Sequence, residues 1–287
     1  MTNPYVDLAG DPAVAVEYAV NNSGSSFLAA MRFLPSEKRR AMYALYSFCR
    51  EVDDIADEVG APEEKRRLLA EWRAEIDRLF AGLPERPISR VLADAVNRYD
   101  LPKVDLLALI DGMEMDAAAS VRIADQAELT LYCDRVACSV GRLSNRIFGV
   151  APEVGDALAR ALGEALQMTN ILRDLREDAE RDRLYMPLDL LSAHGISETG
   201  DTTGVLAHPR FPGACAALAD LTRQRYAVAR TLMAGCERRA VRPAAVMMEV
   251  YRAVFLRLEA RGWRRLDKAV VVPRLLKLWI ALRYGVF

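Results

Sequence analysis

Residues 161–178, ALGEALQMTNILRDLRED, decide how this chain folds. Ala161, Leu162, Ala165, Leu166, Ile171 and Leu172 recur at the spacing of a helix with an apolar face. Gln167, Asn170, Asp174 and Asp178 follow one another at offsets of three, four and four, so they form a polar stripe on the same helix. Among so many apolar neighbours the stripe should face an internal cavity, because an amide and two carboxylates buried without partners would be costly. Residues 43–57, YALYSFCREVDDIAD, repeat the design, with Tyr46, Arg50, Asp53 and Asp57 at offsets of four, three and four. Both stretches set two aspartates one helical turn apart, where like charges repel. A sequence that accepts this repulsion twice points to a cation between the carboxylates, and a divalent metal holding phosphate is the usual candidate.

Outward from these boxes, apolar residues recur at three and four spacing along most of the chain, while alternating Val, Ile and Thr runs are scarce. The chain therefore reads as all-α. The periodicity predicts helices over residues 12–21, 36–59, 63–81, 88–99, 103–120, 126–149, 153–180, 211–236, 241–262 and 273–284. Pro35, Pro62, Pro102 and Pro152 stand at the starts of such segments, where proline is tolerated. The longest predicted loop, from Ser192 to about Pro209, follows the second box and is either a lid or a surface connection. No Ser/Gly-rich or Pro-rich linker divides the chain, which predicts one domain over residues 1–287. Residues 1–22 form its N-terminal segment and residues 270–287 an amphipathic, basic C-terminal helix.

A hydrophobic content of 52% marks a globular protein. Formal net charge is only -1, yet from Glu237 onward twelve Lys or Arg face four Asp or Glu, leaving that part at +8 and the rest at -9. Such a tail is either a solvated helix face or a surface for phosphates or anionic membrane. The five cysteines, Cys49, Cys133, Cys138, Cys215 and Cys236, include no CxxC pair and read as reduced, packed thiols of a cytoplasmic protein. With His194 and His208 the only histidines, a His-based zinc site or a Ser-His-Asp triad has little to be built from. Any metal should instead be hard and oxygen-bound. No secretory signal is evident, and no stretch reaches the roughly 18 uncharged apolar residues of a membrane span.

Around the boxes, Glu51, Asp54 and Glu58 read as a solvated acidic flank, whereas Arg173, Arg181, Arg183 and Tyr185 offer donors to a departing diphosphate. Asp111, Glu114 and Asp116 form a third acidic group, read as rim or capping residues rather than ligands. Tyr132 and Gly141 are ambiguous on their own, since a helix tyrosine or a close-packed glycine is usually structural.

Three segments carry a resemblance: YSFCREVDDIAD (46–57), YCDRVACSVG (132–141) and QMTNILRDLREDAERDRLYMP (167–187). Together with SGSSF (23–27) and MRFLP (31–35), they closely resemble the squalene and phytoene synthase family, the head-to-head prenyltransferases, over about Ser23 to Arg261. The resemblance implies the all-α isoprenoid synthase fold, a single domain whose central cavity carries both boxes at its mouth. It implies Asp53, Asp57, Asp174 and Asp178 as ligands of Mg2+, with Mn2+ a substitute and Asn170 beside them. Arg50, Arg173, Arg183 and Tyr185 would hold diphosphate; Ser25, Ser26, Phe27 and Gln167 would contact substrate; and Tyr46 and Tyr132 would act with Arg50 at the reaction chamber. Several relatives have His-Ser-Lys-Ser-Phe where this chain has Ser23-Gly24-Ser25-Ser26-Phe27, so imidazole and ammonium contacts at that end are missing.

Within the family the sequence is most similar to the members that join two farnesyl diphosphates into presqualene diphosphate in bacterial hopanoid pathways, with phytoene formation from geranylgeranyl diphosphate and full squalene synthesis as alternatives. The resemblance implies a step without NADPH, in which one farnesyl diphosphate ionises and the second attacks the allylic cation. Proton loss, to diphosphate, Tyr46 or Tyr132, then closes a cyclopropane. A different class is a prenyl diphosphate carrier that binds without turnover. A nucleic-acid partner is not expected, since the stripes are acidic and no recognition helix is evident. The C-terminal helix either packs on the domain or rests on the inner face of a membrane, where downstream pathway enzymes would be possible partners.

Overall fold

The computed structural model describes Met31 and residues 34–285. The expected helix at 12–21 and the contacts expected from Ser25, Ser26 and Phe27 lie outside these residues. Helices dominate what is described: α1 Ser36–Asp57, α2 Pro62–Phe80, α3 Pro87–Tyr99, α4 Lys103–Asp116, α5 Gln126–Cys133, α6 Ser139–Phe148, α7 Pro152–Glu180, α8 Leu188–Ala193, α9 Thr202–Ala207, α10 Phe211–Ala234, α11 Arg238–Arg261 and α12 Arg274–Gly285. Pro62, Pro87 and Pro152 open their helices, while Pro35 and Pro102 precede theirs. At these positions the missing N–H costs nothing and the fixed φ is already helical.

The two helices that bear the boxes are the axes of the fold. α7 packs against α10, α6 and α11, and α1 packs against α3, α4, α2 and α6. In α1 the apolar side, Ala41, Met42, Ala44, Leu45, Phe48, Val52 and Ala56, is buried, and Phe48 meets Trp72 of α2 edge-on at 5.4 Å. Between α2 and α3 lies a buried carboxylate. Glu75 accepts hydrogen bonds from the backbone N–H groups of Glu85 and Arg86, both at 2.8 Å, and pairs with Arg78. It caps α3 from a neighbouring helix, because the residue before Pro87 supplies no cap of its own.

Four local expectations need correction. The helix predicted over 126–149 is interrupted at Asp134–Cys138 by a π-helical turn. This turn lies where α7 passes very close: a Cβ on Gly163 would come within 2.9 Å of Cys138 backbone atoms. The helix predicted over 103–120 ends at Asp116, and the chain continues into a two-residue strand, β1 Val121–Arg122, paired in parallel with β2 Arg183–Leu184. Two residues are too few to give a periodic signal, so nothing in the alternation of the sequence announces them. The predicted loop after the second box contains the end of α8 and all of α9, whose first turn is capped by the Asp201 side chain on the Thr203 N–H. Finally, α11 starts three residues before the predicted 241, with Pro243 inside its early turns.

Candidate active site

Between α1, α4, α6, α7 and α11 lies a cavity of about 600 Å3. Both stripes open onto it: Tyr46, Arg50, Asp53 and Asp57 from α1, and Gln167, Asn170, Asp174 and Asp178 from α7. Beyond them the walls are mainly apolar, with Met42, Leu45, Leu109, Val140, Leu158 and Leu162 among the lining residues. Helical geometry explains the gradient, because each helix carries its carboxylates near its C-terminal end and its cavity-facing apolar residues farther back.

At the rim the first box is held by arginines. Arg50 reaches Asp53 at 3.3 Å and Asp54 at 2.7 Å. Asp54, expected as a solvated flank, is thus tied to the box arginine. Asp57 pairs with Arg183 at 2.7 Å and with Arg181 at 3.3 Å, both from beyond the second box. Arg183 also donates to the Ala56 and Asp116 carbonyl oxygens, so its guanidinium fixes the ends of α1 and α4 together. In the second box Arg173 grips the adjacent Asp174 with two hydrogen bonds of 2.7 and 2.6 Å.

The other two carboxylates carry charge that their surroundings compensate poorly. Burial, then the neighbouring Asp57, pushes Asp53 up to about 6 despite Arg50. Burial and then Asp174 push Asp178 up to about 8, against the pull of Arg183. Beside them the side-chain oxygen of Asn170 is buried without a hydrogen-bond partner, while its amide donates to Gln167 at 3.4 Å. Uncompensated carboxylates and an orphaned amide oxygen form an all-oxygen donor set, which fits a hard divalent cation such as Mg2+. Among the described residues, no three Asp, Glu, His or Cys side chains are grouped to hold a metal by themselves. Mg2+ usually binds through one or two carboxylates and keeps positions for phosphate and water.

Deeper in, Tyr132 and Tyr185 stack with ring centroids 4.9 Å apart. Both phenols donate to one carboxylate, Asp116, at 3.0 and 2.6 Å. Asp116 is 6% exposed, and burial raises it to about 6 even though the two phenols and Arg183 pull it down. The expectation that Asp116 is a rim or capping residue is therefore corrected. Its neighbours Asp111 and Glu114 do not line the cavity; both pair with Arg73 of α2. The signal for Asp116 was available only in part: it is the acidic residue of the three at the end of α4, but its partners lie 16 and 69 residues away. Tyr185, expected to hold diphosphate, lines the cavity with its hydroxyl engaged by Asp116. Gly141 packs against Ala159 of α7, where a Cβ would stand 3.1 Å from the alanine methyl. All five cysteines are free thiols.

A chamber with charged residues at its rim and hydrocarbon walls in its depth defines an enzyme class that handles an anionic headgroup on an apolar chain. The squalene/phytoene synthase family matches residues 20–276, and the chain belongs to that family. It is 44% identical over 262 residues to the presqualene diphosphate synthase of Sinorhizobium fredii, covering 91% of this chain and 93% of that protein. Identity to the phytoene synthase of Thermus thermophilus is 35% over 275 residues, 92% of this chain and 90% of the relative. The crystal structure of a dehydrosqualene synthase in complex with ligand matches with a TM-score of 0.83 over 95% of each chain at 22% identity, which shows a shared fold. The all-α fold with its central cavity is that of these synthases.

Proposed function

We propose that this protein joins two farnesyl diphosphates head to head into presqualene diphosphate, releasing one diphosphate, and that residues 1–287 act as one catalytic unit. The observation that carries this reading is the single cavity onto which both carboxylate boxes and an apolar depth open, together with the 44% identity to a presqualene diphosphate synthase.

At the rim Asp53, Asp57, Asp174, Asp178 and Asn170 would hold Mg2+, with Mn2+ as a substitute. When bound, the cation supplies electrostatic stabilisation of the charge gathering on a leaving diphosphate. Arg50, Arg173 and Arg183 stand at the same rim and add donors to that diphosphate. As the C1–oxygen bond breaks, its electron pair leaves with diphosphate and an allylic cation remains in the chamber. The C2–C3 double bond of the second farnesyl chain attacks C1, and loss of a proton closes the cyclopropane. Apolar walls keep water from the cation. Tyr46 and Tyr132 line the chamber, which supports a role for them in orienting the cation or receiving the proton. Asp116 holds Tyr132 in place through its hydroxyl. The side-chain oxygen of Gln167 accepts from Asn170 and so orients that amide.

No helix among the described residues is long and apolar enough to cross a membrane. α12 has a divided character: Ile280 and Ala281 are buried, Ile280 against Val246 and Val250 of α11, whereas Leu275, Leu278, Trp279 and Leu282 are exposed. With Arg274, Lys277 and Arg283 beside them, these residues suit the surface of an anionic bilayer, where a thirty-carbon product would be delivered. Co-sedimentation with vesicles containing anionic lipid should fall when the chain ends at Val272, and equal sedimentation of both chains would remove the membrane role.

Incubation with Mg2+ and either farnesyl or geranylgeranyl diphosphate, with and without NADPH, tests the reaction by mass spectrometry of the products. Presqualene diphosphate from farnesyl diphosphate without NADPH is the expected result. A forty-carbon product made in preference would establish the phytoene reaction, and binding without diphosphate release would establish a carrier.

A further inference from the structure

Behind the reaction chamber the protein contains a second cavity of about 430 Å3, between the start of α1, the end of α6, the start of α11 and the end of α12. Leu34, Pro35, Ala240, Pro243 and Val246 give it apolar wall, and Lys38, Arg239 and Arg242 add basic groups to its lining. Among the described residues Phe148 alone lines both this cavity and the chamber. The two spaces meet at this residue.

Phe148 is placed at the closed end. The chamber residues of α7 run from Leu158 to Asp178, about 30 Å along the helix axis at 1.5 Å per residue. Those of α1 run from Met42 to Asp57, about 23 Å by the same measure. Met42, Leu158 and Phe148 therefore stand at the end of the chamber away from the boxes, the direction in which a chain anchored there would extend. The ring is also held firmly. Phe148 is the last residue of α6 and 5% exposed, its carbonyl accepts from Lys38 at 2.8 Å, and Gly149 after it closes the helix in the left-handed region at φ 84°. The Gly149 N–H turns back to the Asn145 carbonyl at 3.0 Å, and the Asn145 amide is in turn bonded to the Gly155 carbonyl at 2.7 Å.

We propose that Phe148 is the chain-length stop of this enzyme: its ring closes the chamber against the cavity behind it and so favours farnesyl over geranylgeranyl diphosphate. The inference rests on the chamber being a double prenyl diphosphate site, as proposed above. A geranylgeranyl chain carries one more five-carbon unit, which would extend toward this ring. Removing the ring would connect the two cavities and give that unit apolar space. Hydrophobic pockets discriminate between chains by roughly 10- to 200-fold per methylene step, so a whole isoprene unit gives a readable effect.

The test is the ratio of kcat/KM for geranylgeranyl to farnesyl diphosphate in the full chain. Phe148→Ala should raise this ratio by about tenfold or more, with a forty-carbon product appearing, and Phe148→Leu should raise it less. Refilling the second cavity from its far wall, in Phe148→Ala with Ala240→Phe, should restore the preference for the shorter chain. An unchanged ratio in folded Phe148→Ala and Phe148→Leu would overturn the proposal, as would a ratio that Ala240→Phe leaves raised. Where truncation lowers turnover of both substrates, calorimetric binding of the non-ionising thiolo analogues of the two diphosphates reads the same ratio. Wild-type turnover of farnesyl diphosphate separately tests the functional reading, so the two failures are distinguishable.

Discussion

The two carboxylate boxes share a spacing but not a setting. On α1, Asp57 faces two arginines from a distant part of the chain and Asp53 and Asp54 share Arg50. On α7, Asp174 is satisfied by the arginine next to it, while Asp178 is pushed up to about 8 by burial and by Asp174. Each jaw holds one poorly compensated carboxyl, Asp53 at about 6 and Asp178 at about 8, but the first is also cross-linked to the scaffold through Arg181 and Arg183. The difference is one of attachment: Asp57 of the first box is tied across the fold, whereas Asp174 of the second pairs with an arginine of its own helix. A sequence motif can thus be duplicated while its electrostatic environment is not.

Neutralising either jaw should have the largest effect. Asp53→Asn and Asp174→Asn, purified folded, are expected to lose at least about 10³-fold in kcat with farnesyl diphosphate and Mg2+, since electrostatic stabilisation usually lowers the barrier more than any other effect. A folded variant of either kind with wild-type turnover would remove its box from the site. Asp116→Ala leaves two buried phenols without their shared acceptor, and should lower unfolding free energy by about 2–4 kcal/mol in denaturant titrations. Tyr132→Phe, which keeps the ring, should cost far less stability; equal losses would mean that ring packing and not the carboxylate organises this corner. Arg183→Gln releases the clamp on Asp57, and a drop of about 10²-fold in kcat/KM is expected if the clamp sets the position of the first box.

The smallest effects sharpen the comparison most. In protein without divalent metal, Asp178→Asn should raise stability by about 1 kcal/mol at neutral pH, because the buried carboxyl must otherwise take up a proton or carry charge that its surroundings compensate poorly. Asp57→Asn should lower it by about 0.5–1 kcal/mol, an amount limited by the exposure of its ion pairs. Thermal unfolding of the two variants side by side reads the signs, and shifts in the same direction would deny that the jaws differ in their electrostatics.

Much of this site was legible in the sequence because it is local. Tyr46, Arg50, Asp53 and Asp57 on one helix, and Gln167, Asn170, Asp174 and Asp178 on another, needed only the helical period to be placed on cavity-facing stripes. The starts of α2 and α7 were legible for the same reason, from Pro62 and Pro152. What escaped is carried by contacts across long stretches of chain. Arg183 reaches Asp57 over 126 residues, and Tyr185 reaches Asp116 over 69, through a two-residue strand pairing too short to have a period. Glu75 reads as one more charged residue on an amphipathic helix, and only the fold turns it into the cap of α3. The π-helical turn at Asp134–Cys138 reflects the close passage of Gly163, which no property of residues 134–138 alone would indicate.

The central claim is that the two boxes are halves of a single Mg2+–diphosphate site, and thermal unfolding with Mg2+ and inorganic diphosphate added separately and together tests it without relying on turnover. The account predicts that the pair raises the melting temperature well beyond either alone, and that Asp53→Asn and Asp174→Asn each abolish the increase. An increase that survives intact in either variant would contradict it, because one box would then bind metal and diphosphate without the other.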